Sequence, residues 1–232
     1  MNRVADQPAF VLHSRPYRET SLLIDTLTRD HGQVGLVARG VRKEKSRWRG
    51  LLQPLQSLQI GWYGNGELVT LTAAELCSAM PKFEGERLFA GIYLNELVLR
   101  LGRRGDDHSD TFHDYDLCLQ RLGAGESTSW TLRRFERDFL DNLGYALPLT
   151  HSADDQSSID PNADYDYDVE AGPRLPRSRS SGLRLRGSSL LALAADESPD
   201  EEGLRDLRQL MRLVIRHHLA GGVLNAWQLR LR

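Results

Sequence analysis

The sequence predicts an α+β protein: an N-terminal β-barrel of the OB-fold type over residues 1–80, then an α-helical domain over 81–232 with an irregular insert at about 150–187. Three observations carry that expectation. Five short apolar or alternating runs crowd the first eighty residues, with turn residues between them. Beyond Pro81 the apolar spacing changes to three and four. Between about 150 and 187 periodicity disappears into a stretch rich in Ser, Asp, Pro and Arg.

The strands follow in order. Ala9-Phe10-Val11-Leu12 is a short apolar run, and Ser21 to Leu27 is a second. Gly35-Leu36-Val37-Ala38 is a third, reached through the turn signal Asp30-His31-Gly32. Leu55 to Ile60 alternates with period two, as a half-buried strand does. It runs into Gly61 to Gly66, whose Asn65-Gly66 is a strong hairpin signal, and Glu67 to Thr72 returns. Five such strands suit a small closed barrel, with an SH3-like barrel or a small open sheet as alternatives.

The helices come next. Leu88, Ile92, Leu94, Leu97, Val98 and Leu101 mark one that ends at Gly102. Phe112, Tyr115, Leu117, Leu119 and Leu122 mark a second, closing at Gly123. A third starts with Ser127 or Ser129 as N-cap and runs through Leu132, Phe135, Phe139 and Leu143 to Gly144. The last long helix covers about Glu201 to Leu219, stops at Gly221-Gly222, and leads to a short one through Trp227.

Composition narrows the function classes. The two cysteines, Cys77 and Cys118, exclude a disulfide framework and argue for a reducing, cytoplasmic setting. No apolar run reaches the ~20 residues a membrane span needs, and the first residues lack a secretory h-region. The net charge of -2 conceals two opposed segments. Arg39, Arg42, Lys43, Lys45, Arg47 and Arg49 stand together against Glu44 alone, whereas Asp154 to Glu170 holds seven acids and no Lys or Arg. A polyanion would therefore meet one local patch rather than an attractive field.

Six cations in eleven residues cannot pack inward, so they face water or phosphate. Phosphate contact would give salt-dependent affinity, and Trp48 between Arg47 and Arg49 offers a face for an unpaired base. The alternative is a solvated loop with Trp48 tucked into the barrel. In the helical part, Arg205, Arg208 and Arg212 share one helix face, and Arg133 and Arg134 precede Phe135. Such cations fit an acidic peptide with a hydrophobic end, or ion pairs with Glu136, Asp138 and Asp206.

Other chemistry is poorly supported. Asp164, Asp166 and Asp168 mimic an EF-hand start, but Val169 stands where Gly is required and Leu175 where Glu is, so the segment reads as an exposed strand. Asp106, Asp107, Asp110, Asp114 and Asp116 are explained by a loop and a helix start without metal. The histidines are scattered, and His217-His218 near a helix end fit its dipole. There is no P-loop and no nucleophile elbow, so neither a catalytic residue nor a cofactor is expected.

Several motifs also resemble a known family. His13-Ser14-Arg15-Pro16-Tyr17-Arg18-Glu19-Thr20-Ser21 and Leu36-Val37-Ala38-Arg39-Gly40-Val41-Arg42 look like the N-terminal signature of RecO, the bacterial repair and recombination mediator. Gly91 to Leu97, Leu132 to Glu136 and Leu143-Gly144-Tyr145 look like its helical-domain motifs, in the expected order along the chain. The resemblance implies binding of single- and double-stranded DNA, annealing without ATP, and work with RecR to load RecA onto DNA coated by single-strand DNA-binding protein. It implies a nucleoid-associated role in the bacterial cytoplasm, with no membrane partner. It places DNA contact on Arg39, Arg42, Lys43, Lys45, Arg47, Trp48 and Arg49. The acidic tail of single-strand DNA-binding protein would meet the helical domain. Arg133, Arg205 and Arg208, with Tyr93 and Leu97 as apolar neighbours, are our assignment for that site. Many members carry a four-cysteine zinc site after the Leu-Gly-Tyr motif; this chain has no cysteine there, so zinc is not expected. The rival function is an RNA-binding OB-fold protein, which would read the 2′-hydroxyl.

Overall fold

A computed structural model describes residues 3–77, 82–102, 109–176 and 182–228. Asp106 and Asp107 lie outside the described residues. The contacts divide the chain into two units, Met1–Gly123 with Leu224–Arg232, and Ala124–Val223.

The first unit is built on a closed barrel of β1 (Arg3–Tyr17), β2 (Ser21–Thr28), β3 (Gly32–Ala38), β4 (Ser57–Tyr63) and β5 (Leu68–Leu76). Around it the strands run β1-β2-β3-β5-β4, with β4 closing back on β1. Only the β3–β5 pair is parallel. β1 is much longer than the apolar run Ala9–Leu12 because it serves two neighbours. Its first part pairs with β4 and its second with β2, with register shifts between Val4 and Gln7 and between Val11 and His13. Those irregularities bend the strand and break the alternation that would have revealed its ends.

Four consecutive buried residues in β1 signify burial on both faces. Ala9 and Val11 join Ile24, Leu36, Leu58, Ile60 and Leu71 inside the barrel. Phe10 points the other way, its ring 5.1 Å from Phe112 and 5.0 Å from Tyr115. These aromatic residues belong to α2 (Ser109–Ala124), which follows α1 (Gly85–Leu101).

Buried polar groups fasten α1 to the barrel. Asn95 Nδ2 donates to the Leu12 carbonyl at 2.8 Å, and the Tyr115 hydroxyl donates to Asn95 Oδ1. Gln33 Nε2 donates to the Val98 carbonyl at 2.6 Å near the end of α1. Glu96 holds the returning C-terminal segment: its carboxylate accepts from the Asn225 and Ala226 N–H groups, each at 2.7 Å, and from Asn225 Nδ2 at 3.0 Å. These open a single 3₁₀ turn, Asn225–Gln228. The change of periodicity near residue 81 thus marks a change of secondary structure, while packing keeps α1 and α2 with the barrel.

The second unit holds α3 (Thr128–Asn142), β6 (Asp164–Asp168), β7 (Gly172–Arg174), β8 (Leu183–Arg186), α4 (Gly187–Ala194) and α5 (Glu201–His218). Ser127 caps α3 by accepting from the Trp130 N–H, and Asp200 caps α5 by accepting from the Gly203 N–H. Asp200 is held down to about 2 by the Arg186 guanidinium and by that amide.

The insert is more regular than its sequence suggests. Its strands form an antiparallel sheet in the order β7-β6-β8, and α4, which the sequence did not reveal, follows directly. β7 and β8, of three and four residues, are too short to display a period. Asp164–Asp168 is a strand as expected, but its middle is buried rather than exposed: Tyr165, Asp166 and Tyr167 are all enclosed. Tyr167 donates to the Pro148 carbonyl, and the Tyr165 hydroxyl accepts from the Asp160 N–H. The acidic run is spent locally. Asp166 meets Arg184 at 3.2 Å, Asp154 lies 3.7 Å from Arg174, and Asp155, Asp160 and Asp168 accept from nearby backbone amides.

Candidate nucleic-acid interface

Between β3 and β4 the chain is a run of overlapping turns. The Lys43, Ser46, Arg49 and Leu51 N–H groups donate to the carbonyls of Gly40, Lys43, Ser46 and Trp48. Gly40 and Gly50 bracket it at φ 71° and 79°, a region that costs any residue with a Cβ. They therefore suit these turn positions. Val41 and Leu52 insert into the barrel core, so the arm is anchored at both ends while its cations face outward.

Two side chains tie the arm down further. Arg42 donates through its main-chain N–H to the Thr20 carbonyl at 3.0 Å and through Nη1 to the Arg18 carbonyl at 3.3 Å. Arg47 Nη2 donates to the Thr72 carbonyl of β5 at 3.4 Å. Trp48 is half-buried and packs against the barrel core, and the Arg47 guanidinium carbon lies 4.9 Å from its ring centroid. The ring is thus partly tucked into the barrel and partly covered by Arg47, so a base stacking there must displace that guanidinium.

Arg39, Arg42, Lys43, Lys45, Arg47 and Arg49 are exposed. Among the described residues, none of them lies in an ion pair. Several arginines of the second unit, by contrast, are paired with carboxylates. Arg134 meets Asp196 at 2.5 Å, Arg137 meets Asp138 at 2.7 Å, and Arg186 meets Asp200, Glu202 and Asp206. The arm is thereby a place where positive charge is tethered to the barrel and, among the described residues, has no carboxylate partner.

The residues expected to hold an acidic tail separate into interior and surface groups. Arg133 is only 7% exposed and is paired with the fully buried Glu136 at 2.5 Å, one turn along α3. Tyr93 and Leu97 are buried in the first unit. All three therefore serve the interior, which corrects their assignment to a surface site. Cations beside apolar residues at helical spacing look alike in sequence whether the apolar face is a docking surface or a core. Arg205 and Arg208 are exposed on α5, and with Arg212 and Arg216 they form a row of about 16 Å along the helix.

The remaining candidates hold little chemistry. Among the described residues no three His, Cys, Asp or Glu side chains gather as metal ligands. No cysteine follows Leu143-Gly144-Tyr145, so the thiolate donors of a zinc site are lacking. His218 stacks on Tyr145 at 3.9 Å, and burial, with His217 adjacent, holds it below the usual histidine value rather than above it. The helix-dipole expectation runs the other way, so desolvation prevails here.

Comparisons with known proteins place the chain in one family over nearly its whole length. The family model for the recombination protein O N terminal matches residues 1–80, and that for the recombination protein O C terminal matches 82–227. The chain is 44% identical over 230 residues to a DNA repair protein RecO of Stenotrophomonas maltophilia, covering 97% of this chain and 96% of the relative. It is 43% identical to one from Ralstonia nicotianae, covering 98% and 84%, and 41% identical to one from Dechloromonas aromatica, covering 95% and 92%. The chain belongs to the RecO family of DNA repair and recombination proteins.

Proposed function

We propose that this protein is a homologous recombination mediator. It binds single- and double-stranded DNA, anneals complementary strands without ATP and, with RecR, helps load RecA onto DNA coated by single-strand DNA-binding protein. The observation that carries the reading is the tethered arm whose six exposed cations have no ion pair among the described residues. Phosphates supply the missing counter-charge, and release of their counterions supplies sequence-independent affinity. Screening two strands at one patch lowers their repulsion, and base pairing then selects the partner. No bond is made or broken by the protein, so the role is that of a binding protein and not an enzyme, acting at the nucleoid in the cytoplasm.

The decisive variant is Arg42→Ala/Lys43→Ala/Lys45→Ala, titrated with labelled oligothymidylate at several salt concentrations. Three lost phosphate contacts lower the magnitude of the log–log salt slope by about 2. An unchanged slope removes the arm from the interface.

The acidic tail of single-strand DNA-binding protein docks, in this reading, on the α5 row, with Arg205 and Arg208 as its charged contacts. Arg208→Ala weakens a tail peptide about tenfold by calorimetry, the scale of one charge-assisted contact. Wild-type affinity in that variant excludes the residue.

A further inference from the structure

β1 and β2 are joined by a tight turn, Arg18-Glu19-Thr20, and the arm grips both Arg18 and Thr20 through Arg42. Arg18 sits at φ 52°, the left-handed region, and its guanidinium carbon lies 5.2 Å from the Tyr17 ring centroid. Arg47 on Trp48, beside Thr72, repeats this arrangement. Each tether of the arm thus carries an arginine laid over the aromatic residue that precedes or follows it in sequence.

Charge points the same way. Arg15 and Arg18 are exposed and, among the described residues, neither is in an ion pair. Arg18 adds a cation where Arg42 tethers the arm, and Arg15 stands three residues before it on β1, against Glu19 in the turn. The Arg42 guanidinium on the Arg18 carbonyl brings a second cation to the turn that carries Arg18. A phosphate between them relieves their repulsion. A guanidinium drawn to phosphate also leaves its ring, and the half-buried Tyr17 is then an open plate for an unpaired base.

We infer that the β1–β2 turn is a second contact for single-stranded nucleic acid, with Arg18 taking a phosphate and the Tyr17 ring it uncovers taking a base. The site then has two arginine–aromatic stations, Tyr17 at one tether of the arm and Trp48 at the other. This rests on the DNA-binding reading of the arm.

The test uses the full chain and fluorescein-labelled oligothymidylate, with anisotropy read across a salt series. Arg18→Gly keeps the turn, because glycine tolerates this φ, and removes the guanidinium. It lowers the magnitude of the salt slope by about 0.7, one single-strand phosphate. Tyr17→Leu weakens binding about tenfold with little change in slope, the scale of one stacked base, while Tyr17→Phe retains wild-type affinity. A wild-type slope in Arg18→Gly, or equal affinities for Tyr17→Leu and Tyr17→Phe, overturns the inference when the arm triple variant is impaired. If the triple variant also binds as the parent does, the reading of the arm fails and this inference fails with it.

Discussion

Tyr115→Ala destabilises the first unit by about 3–5 kcal/mol, the usual cost of emptying a large aromatic site in a core. Tyr115 is fully buried, stacks at a tilt on Phe10 of the barrel and donates to Asn95, which in turn donates to the Leu12 carbonyl. Removal of the ring leaves a cavity between barrel and helix and takes away the donor that orients Asn95. Tyr115→Phe separates these effects, because it keeps the ring and costs about 1–3 kcal/mol for the buried polar group left behind. Burial pushes the Tyr115 phenol well above its ordinary range, so the hydroxyl stays a donor at any physiological pH. The urea midpoint reads both variants; equal midpoints for Tyr115→Phe and the parent would show that the Asn95 contact contributes nothing.

Arg133→Met is expected to cost the second unit about 3–5 kcal/mol, because it takes the paired guanidinium away from a buried carboxylate. Glu136 is 0% exposed and faces Arg133 at 2.5 Å. Losing the guanidinium forces Glu136 either to take up a proton or to stay charged in the interior. The double variant Arg133→Met/Glu136→Leu recovers most of the loss, since a matched apolar pair avoids both desolvation penalties. A double variant as unstable as the single one would refute this account. Weaker tail binding by Arg133→Ala would accordingly reflect damage to α3 and would say nothing of a surface contact.

The barrel was legible where a turn is marked. Asn65-Gly66 lies in the β4–β5 hairpin, whereas the alternation Leu55–Ile60 misplaced β4, which runs Ser57–Tyr63 with no exposed residue and leaves Leu55 outside it at φ 70°. β1 was legible only at its doubly buried centre, because its polar flanks pair through bulges that shift the alternation. Helix ends were clear at Gly102 and Gly221, where capping chemistry is local, and of the two N-caps Ser127 and Ser129 offered for α3 the structure uses Ser127. The insert was opaque because much of its order comes from Tyr167 and Asp166 meeting partners 19 and 18 residues away, which no short window contains. For the site, the density of cations announced the arm, since so much charge has no interior destination. Arg133 misled for the opposite reason: a single cation with a carboxylate one turn away can be buried.

The Glu96 clasp on Asn225 and Ala226 has a consequence for how the molecule is made. Residues 224–228 leave the ribosome only after the entire second unit, Ala124–Val223, has been synthesised. Barrel strands, α1 and α2 emerge early and form most of the first unit's contacts, yet the carboxylate of Glu96 waits more than a hundred residues for its backbone donors. Closing so long a loop is slow relative to local helix and hairpin formation. Translation therefore supplies the last turn of the first unit only after the second unit, an uninterrupted insertion, has been synthesised.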